Sequence, residues 1–518
     1  MLQADKPASI SDPHPEVDGA NPAHALLPVS ASDAGYRLTI PLRRSPNIAQ
    51  AILLGSAGLQ LALALLITTY LARALSSYAF GFFSLVSTIL VLARKFLDLG
   101  LGNVASRDIA SDPRRERPIL EGMMAYRRVA GLALALSLLV FAFADNSGTQ
   151  RFVLIAVALV LLFTEPNALD PVFQVRQAQG GPAVLNLCGT LLVLAGSIVF
   201  HRLRLAGAAF AWLLVGREAL TLLITKILAE RLLGYHPKPG FRGRALRAFV
   251  GPALIFGLAS LVYTIYFHCD VFFVYALRGQ DELGAYAAAF RPINPLLVLP
   301  WLLMVPMVPV LTRTAATDGE RFVAQVRSAC AIALGIGACG LVAGTLLAPQ
   351  LVQLLYHGRY LAGPLSCVAA FRWLAIALGQ VCVTTVLTAS LLAARKEKLL
   401  LAIGTAALLA NAVANFVLLR RYNFTAAGFA TAATELLFLI GALAAFHVTT
   451  GRSAMTWRAA IYSLPALLMA GALYFSGGSA ALRVSCGVVL GLLSSAVILL
   501  SPSARRFRHE MTSASPGF

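Results

Sequence analysis

Apolar runs of about twenty residues recur from about Asn47 to the end of the chain, each closed by a short turn, and nothing else in the sequence limits the fold so strongly. A helix of that length crosses roughly 30 Å of hydrocarbon with every backbone hydrogen bond made internally. A spanning strand would belong to a closed barrel and alternate with period two, and none of these runs alternates. The polar remainder is too small to solubilise a globule of 518 residues: 58% of the chain is hydrophobic and only 13% is charged. The sequence therefore predicts an all-α polytopic membrane protein.

About fourteen spans are expected, near 47–72, 79–101, 122–144, 152–175, 183–201, 205–229, 248–277, 282–312, 323–348, 362–393, 398–419, 425–448, 459–476 and 479–500. They group as a disordered cytoplasmic tail over 1–45, a six-helix bundle over 46–232, a second over 248–450, a terminal helix pair over 456–501 and a cytoplasmic tail over 502–518. The formal charge of +19 suggests nucleic acid at first sight. The basic residues instead cluster in alternate short loops, such as Arg114, Arg115 and Arg117, then Lys238, Arg242, Arg244 and Arg247, then Arg395, Lys396 and Lys398. That bias is a topology signal, and it predicts both termini on the cytoplasmic side. The seven cysteines show no paired metal-ligand spacing and read as small buried apolar residues, so neither metal nor cofactor is expected.

The stretch LARALSSYAFGFF from Leu71 has a loose counterpart in YALRGQDELGAYAAA from Tyr275: Ala and Leu at a helix end, a polar turn, then Gly81 or Gly284 before an aromatic. LAGAAFAWLLVGREAL (Leu205 to Leu220) likewise resembles TAAGFATAATELLFL (Thr425 to Leu439), each with a Glu inside the helix. The common order and offset predict two halves in the same orientation, one of the known transporter plans. The basic loop Gly234 to Arg247 divides them.

A charge inside hydrocarbon costs at least about 2.5 kcal/mol, so intramembrane ionisable residues need a partner or a wet cavity. Arg217, Arg291 and Arg372 could form a cationic cavity for an anionic head group, since guanidinium stays charged and forks onto phosphate oxygens. They could equally be structural partners, for example Arg291 with Asp270. Glu165, Glu218 and Glu435 are candidate ion-coupling carboxyls, or helix-to-helix pairs. Tyr263, Tyr266 and Phe267 offer aromatic faces to sugar or lipid, or pack on neighbouring helices. Pro292, Pro295, Pro300, Pro306 and Pro309 should bend span eight. Walker A, HExxH and GxSxG motifs are absent from the sequence, and no enzyme activity is expected.

Taken in order, YLARALSSYAFGFF, LDLGLGNVASRDIA, HCDVFFVYALRGQDELGAYAAAFRPI, LLAPQLVQLLYHGRY and AIGTAALLANAVANFVLLRRYNFTAAGFATAATELLF resemble the bacterial polysaccharide-export flippases, the Wzx-type branch of the MATE-like superfamily. The resemblance covers nearly all of the chain after about residue 45. It implies two six-helix bundles around a central cavity that opens alternately to each side of the bacterial inner membrane. It implies as substrate an undecaprenyl-pyrophosphate-linked oligosaccharide held by cationic cavity residues, for which Arg291 and Arg372 stand here, with Asp270 matching the family's Asp in span seven; Arg217 and Tyr266 are substrate-contact candidates from the residues alone. Membrane lipids, and in the cell a polysaccharide polymerase and glycosyltransferases, are the implied partners; nucleic acid is not. The sequence departs from the family in reading ALSSYAFG where a Gly usually follows the Leu, and in its long N-terminal tail. An ion-coupled small-molecule antiporter, and a membrane glycan polymerase or ligase, are the alternatives.

Overall fold

A computed structural model describes residues 46–500, apart from 146–147, 177, 241–256, 298–299, 302–303, 305–306 and 476–478. The expected tails 1–45 and 502–518, and the basic loop from Phe241 to Arg247, lie outside the described residues. Every regular element described is helical, as the sequence predicts. In chain order these are α1 (Pro46–Ala74), α2 (Ser77–Asp98), α3 (Leu101–Ser111), α4 (Glu116–Asp145), α5 (Gly148–Leu162), α6 (Asp170–Val175), α7 (Gly180–Arg202), α8 (Ala211–Leu233) and α9 (Cys269–Ile293). They continue with α10 (Val308–Thr317), α11 (Gly319–Leu346), α12 (Ala348–Tyr356), α13 (Val368–Ala393), α14 (Glu397–Arg421), α15 (Thr425–Thr450), α16 (Leu464–Phe475) and α17 (Ala480–Leu500).

Local chemistry sets several of these boundaries. The Ser76 hydroxyl accepts the Ala79 N–H at 3.2 Å to start α2, and Asp318 accepts from the Arg321 N–H at 3.0 Å to start α11. Span two ends at Asp98, close to the expected boundary, and after left-handed residues Leu99 and Gly100 the chain resumes as a further helix, α3, that runs on to Ser111. Span four is also interrupted, by a single 3-10 turn over Glu165–Leu169 that begins just before Pro166.

Ten helical runs among the described residues are long and apolar enough to cross a membrane, and three apolar helices are shorter, Gly58–Ala74, Ala459–Tyr474 and Leu482–Ile498. One of the ten, Gly257–Leu297, is two passes joined end to end. Gly257 packs so closely on Leu99 that a Cβ there would overlap the Leu99 carbonyl, which puts the start of the run at the far end of α2. Gln280 lies against Gly81 at the near end. A continuous helix would then leave α2 behind, yet Gly284 abuts Ser77 and Arg291 bonds Ser84. Asp270 and Tyr286 also touch, although sixteen residues of straight helix would separate them by about 24 Å. The reversal is at Gly279 (φ 83°, ψ −177°), a conformation that only glycine adopts without strain.

After the reversal, α9 runs parallel to α2. Gly81 and Gly284, the two glycines matched in the sequence repeat, face each other there, and a Cβ on Gly81 would come within 3.0 Å of the Gly284 nitrogen. The largest core cluster lies around this contact and joins α2, α4 and α5 to α9, α12 and α13. Separate clusters hold α10, α11, α13, α14 and α15 together, and α3, α4, α6 and α8 together. The last two helices pack on α11 and the start of α12.

Candidate functional site

Two arginines lock the helix ends beside this contact. Arg73, in the last turn of α1, donates from Nε to the Leu355 carbonyl at 2.6 Å and from Nη2 to the Leu354 carbonyl at 2.7 Å, both in the last turn of α12. Arg359, just beyond α12, donates back to the carbonyls of Ala72 (3.3 Å), Arg73 (3.1 Å) and Leu75. Each guanidinium thus meets the unsatisfied carbonyls and the negative dipole end of the other's helix. Ser77 and Tyr360 hydroxyls, 3.3 Å apart and buried, continue the seal. The Arg73→Ala/Arg359→Ala variant should favour separation of these ends by about 2–3 kcal/mol. Spin-label distances between α1 and α12 check this: the distribution should broaden to longer values, and an unchanged one would show that the clasp contributes nothing.

Arg291 lies one level deeper, seven residues beyond Gly284. Its Nε donates to the Ser84 hydroxyl at 2.9 Å, its Nη2 to the Ser84 carbonyl at 3.1 Å, and its guanidinium carbon lies 5.7 Å from the centroid of the Phe83 ring. Among the described residues its partners are all neutral. Asp270, the partner that hairpin geometry suggested, is turned away: it accepts the Tyr286 hydroxyl and the Val271 N–H. Arg291 therefore links α9 to α2 as a cation within an apolar span, with no carboxylate among the described residues within salt-bridge distance.

The carboxyls of the second half sit in a separate polar seam. Tyr266 donates to Glu435 at 3.0 Å and its hydroxyl is 3.3 Å from that of Thr434. Asn411 donates to Thr434 at 2.9 Å and its side-chain oxygen accepts from Asn415 at 2.7 Å, while the Cys269 thiol lies 3.1 Å from the same oxygen. Glu435, Asp270, Asn411 and Asn415 are all fully or nearly fully buried. Neither carboxyl has a salt bridge among the described residues: Glu435 accepts from Tyr266, and Asp270 accepts from Tyr286 and the Val271 N–H, all of them neutral donors.

Four acids of the first half are paired with arginines. Glu218 meets Arg94 of α2 at 3.0 Å, Asp98 meets buried Arg127 at 3.5 Å, Glu116 meets Arg176 at 3.2 Å, and Glu165 pairs with Arg128. Arg217 does not bridge its neighbour Glu218; its stem packs on Gly189, where a Cβ would lie 3.2 Å from Cγ. Arg372 is exposed and its Nε donates to the Thr345 carbonyl at 3.2 Å, on α11. Arg291, Arg372 and Arg217 thus have their contacts on α2, α11 and α7, and among the described residues no contact unites them. Tyr286, Arg94, Arg127, Asn411 and Asn415 were not picked out from sequence. The two asparagines carried a readable signal, amides four residues apart on one face of an otherwise apolar helix.

A family model described as "Polysaccharide biosynthesis protein" matches residues 50–315. No curated protein matches the chain by sequence. The structure is similar to the lipid II flippase MurJ in an inward closed conformation, with a TM-score of 0.66 at 14% identity over 88% of this chain and 98% of that one. It is similar to an inward-facing multidrug resistance MATE family transporter of the MOP superfamily (TM-score 0.56, 15% identity, 76% of this chain and 95% of that one). It is also similar to a MATE protein in a bent conformation (TM-score 0.51, 17% identity, 82% and 98%). At these identities what is shared is the fold of a multi-pass membrane protein.

Proposed function

The chain belongs to the polysaccharide biosynthesis protein family, and from that premise we propose that it is a flippase moving an undecaprenyl-pyrophosphate-linked oligosaccharide across the bacterial inner membrane for surface polysaccharide assembly. The observation that carries the proposal is Arg291, a cation held within the membrane-spanning core by neutral oxygens alone. Such a charge is costly to keep and is offset when an anion arrives. A pyrophosphate suits a guanidinium fork, and the sugar chain, which cannot cross hydrocarbon unaided, follows the head group through the protein while the prenyl tail stays in lipid.

Two bundles over 46–232 and 248–450, with a helix pair over 456–501, would move against each other about the α2–α9 contact. Both termini would be cytoplasmic, with a polymerase and glycosyltransferases acting before and after the flip. Of the proposed ion-coupling carboxyls, Glu165 and Glu218 already carry arginine partners, which leaves Glu435 as the one free to exchange a proton or cation. Arg372 and Arg217 are second to Arg291, because one is exposed and the other lies against α7.

Depleting the protein should make the lipid-linked oligosaccharide accumulate on the cytoplasmic leaflet, where a membrane-impermeant glycan-labelling enzyme added to spheroplasts cannot reach it, and re-expression should restore labelling. Unchanged labelling after depletion would overturn the proposal.

A further inference from the structure

The first half contains a cavity that none of the chemistry above uses. It has a volume of about 790 Å³, is open on one side, and lies between α5 and α8, with the start of α4 behind it and residues 236–239 as its floor. Its two ends differ in kind. Toward the middle of the spans it is apolar, walled by Leu159, Val160, Phe163, Leu222 and Leu223. Three of these are largely uncovered by protein, Leu159 at 53%, Phe163 at 68% and Leu223 at 57% exposure, and no residue of α2 or α9 lines the cavity. Toward the helix ends it is polar, with Arg128, Glu165, Lys226, Glu230, His236 and Lys238.

Within that polar end the acids are taken. Arg128 pairs with Glu165, and Glu230 lies 3.0 Å from His236. Lys226 and Lys238 are exposed and have no ion pair or hydrogen bond from their ammonium groups among the described residues. The floor that carries Lys238 is held in place: the Gly240 N–H donates to the Glu121 carbonyl at 3.1 Å, the Tyr235 hydroxyl donates to Glu116 at 3.4 Å, and Arg117 covers the Tyr235 ring at 5.6 Å. The cavity is thus a built site with an apolar slot, a fixed basic end and one open side.

We propose that this cavity binds an anionic phospholipid of the leaflet on the side of the α8 C-terminus, with an acyl chain between α5 and α8 and the phosphate between Lys226 and Lys238. The orientation agrees with the bilayer, because the charged end lies at the helix termini and the apolar end near mid-span. Lysine ammonium groups, as compact point charges, suit a mobile lipid phosphate, whereas the carbonyl-bound and carboxylate-bound arginines nearby are already committed.

The test uses the full chain purified into nanodiscs of phosphatidylcholine doped with phosphatidylglycerol, with bound lipid counted by native mass spectrometry. Wild type should retain phosphatidylglycerol preferentially. Lys226→Gln/Lys238→Gln should reduce that preference roughly tenfold to thirtyfold, the loss of two surface cations, and Ala219→Trp, which fills the apolar end, should remove bound lipid of either kind. Thermal stabilisation by phosphatidylglycerol should be lost in the same variants. Equal retention of phosphatidylcholine by wild type, or an unchanged preference in the double variant, would overturn the proposal. So would equal stabilisation by inorganic phosphate alone, which would make this a simple anion site, or preferential retention of a prenyl phosphate, which would make it a second substrate site.

Discussion

Arg291→Ala should reduce glycan export at least a hundredfold while the protein persists in the membrane at near wild-type level. The expectation rests on the company Arg291 keeps. Its hydrogen bonds go to the Ser84 hydroxyl and carbonyl, so its removal leaves no buried carboxylate without a counter-charge and the fold loses only those bonds. An anionic head group, by contrast, loses a desolvated charge-assisted contact worth about 3–4 kcal/mol, or more than two orders of magnitude in affinity. Arg291→Lys should recover part of the activity, since the charge remains and the fork does not. Arg372→Ala should cost far less, because that side chain is exposed and donates to a single carbonyl. Export assayed by surface glycan staining, normalised to membrane protein, separates these cases; an Arg372→Ala defect as deep as that of Arg291→Ala would remove Arg291 from its central role.

The reach of the sequence can be judged on these same residues. The apolar runs, the reversal near Gly279 and the correspondence of Gly81 with Gly284 in a repeat were legible, because span length, turn chemistry and a repeated small residue are local facts; that the two glycines touch was not. The partner of each buried charge was not. Asp270 suggested itself for Arg291 because the spans are neighbours, yet it faces Tyr286, and Glu218 turned out to face Arg94. In a soluble helix an apolar stripe fixes which side faces inward. A helix such as α14 or α15 is apolar almost all round, since lipid and protein interior are alike to it, so rotation about its axis is left open by the pattern. The partners of ionisable groups depend on that rotation. Neutral network members such as Asn411 and Asn415 give a weaker signal still, because an uncharged amide in an apolar run carries a smaller burial cost than a charge.

Gly284→Leu should abolish transport by a different route, through the α2–α9 contact itself. A Cβ on Gly284 would overlap the Ser77 carbonyl, and one on Gly81 would overlap the Gln280 carbonyl. Overpacking a core that can relax costs about 1–3 kcal/mol. Here the obstacles are backbone atoms on both sides, which no rotamer change can move, so the cost is higher. It can be relieved by unfolding or by parting the two halves where they meet. The second is the cheaper outcome, because the clusters that hold α3, α4, α6 and α8, and α10, α11, α13, α14 and α15, do not depend on this contact. Inverting a 99:1 preference for the closed arrangement takes about 5.5 kcal/mol, and the variant should approach that limit. Ser77 is buried against Tyr360 and reports the change directly. In a background with exposed Cys188 replaced by Ser, Ser77→Cys should be nearly inert to a membrane-impermeant maleimide, and Gly284→Leu should accelerate its labelling at least tenfold with little change in melting temperature. A variant that instead loses its melting transition, with the thiol no more reactive in the protein that remains folded, would make the paired glycines a fixed core contact rather than the face on which the halves close.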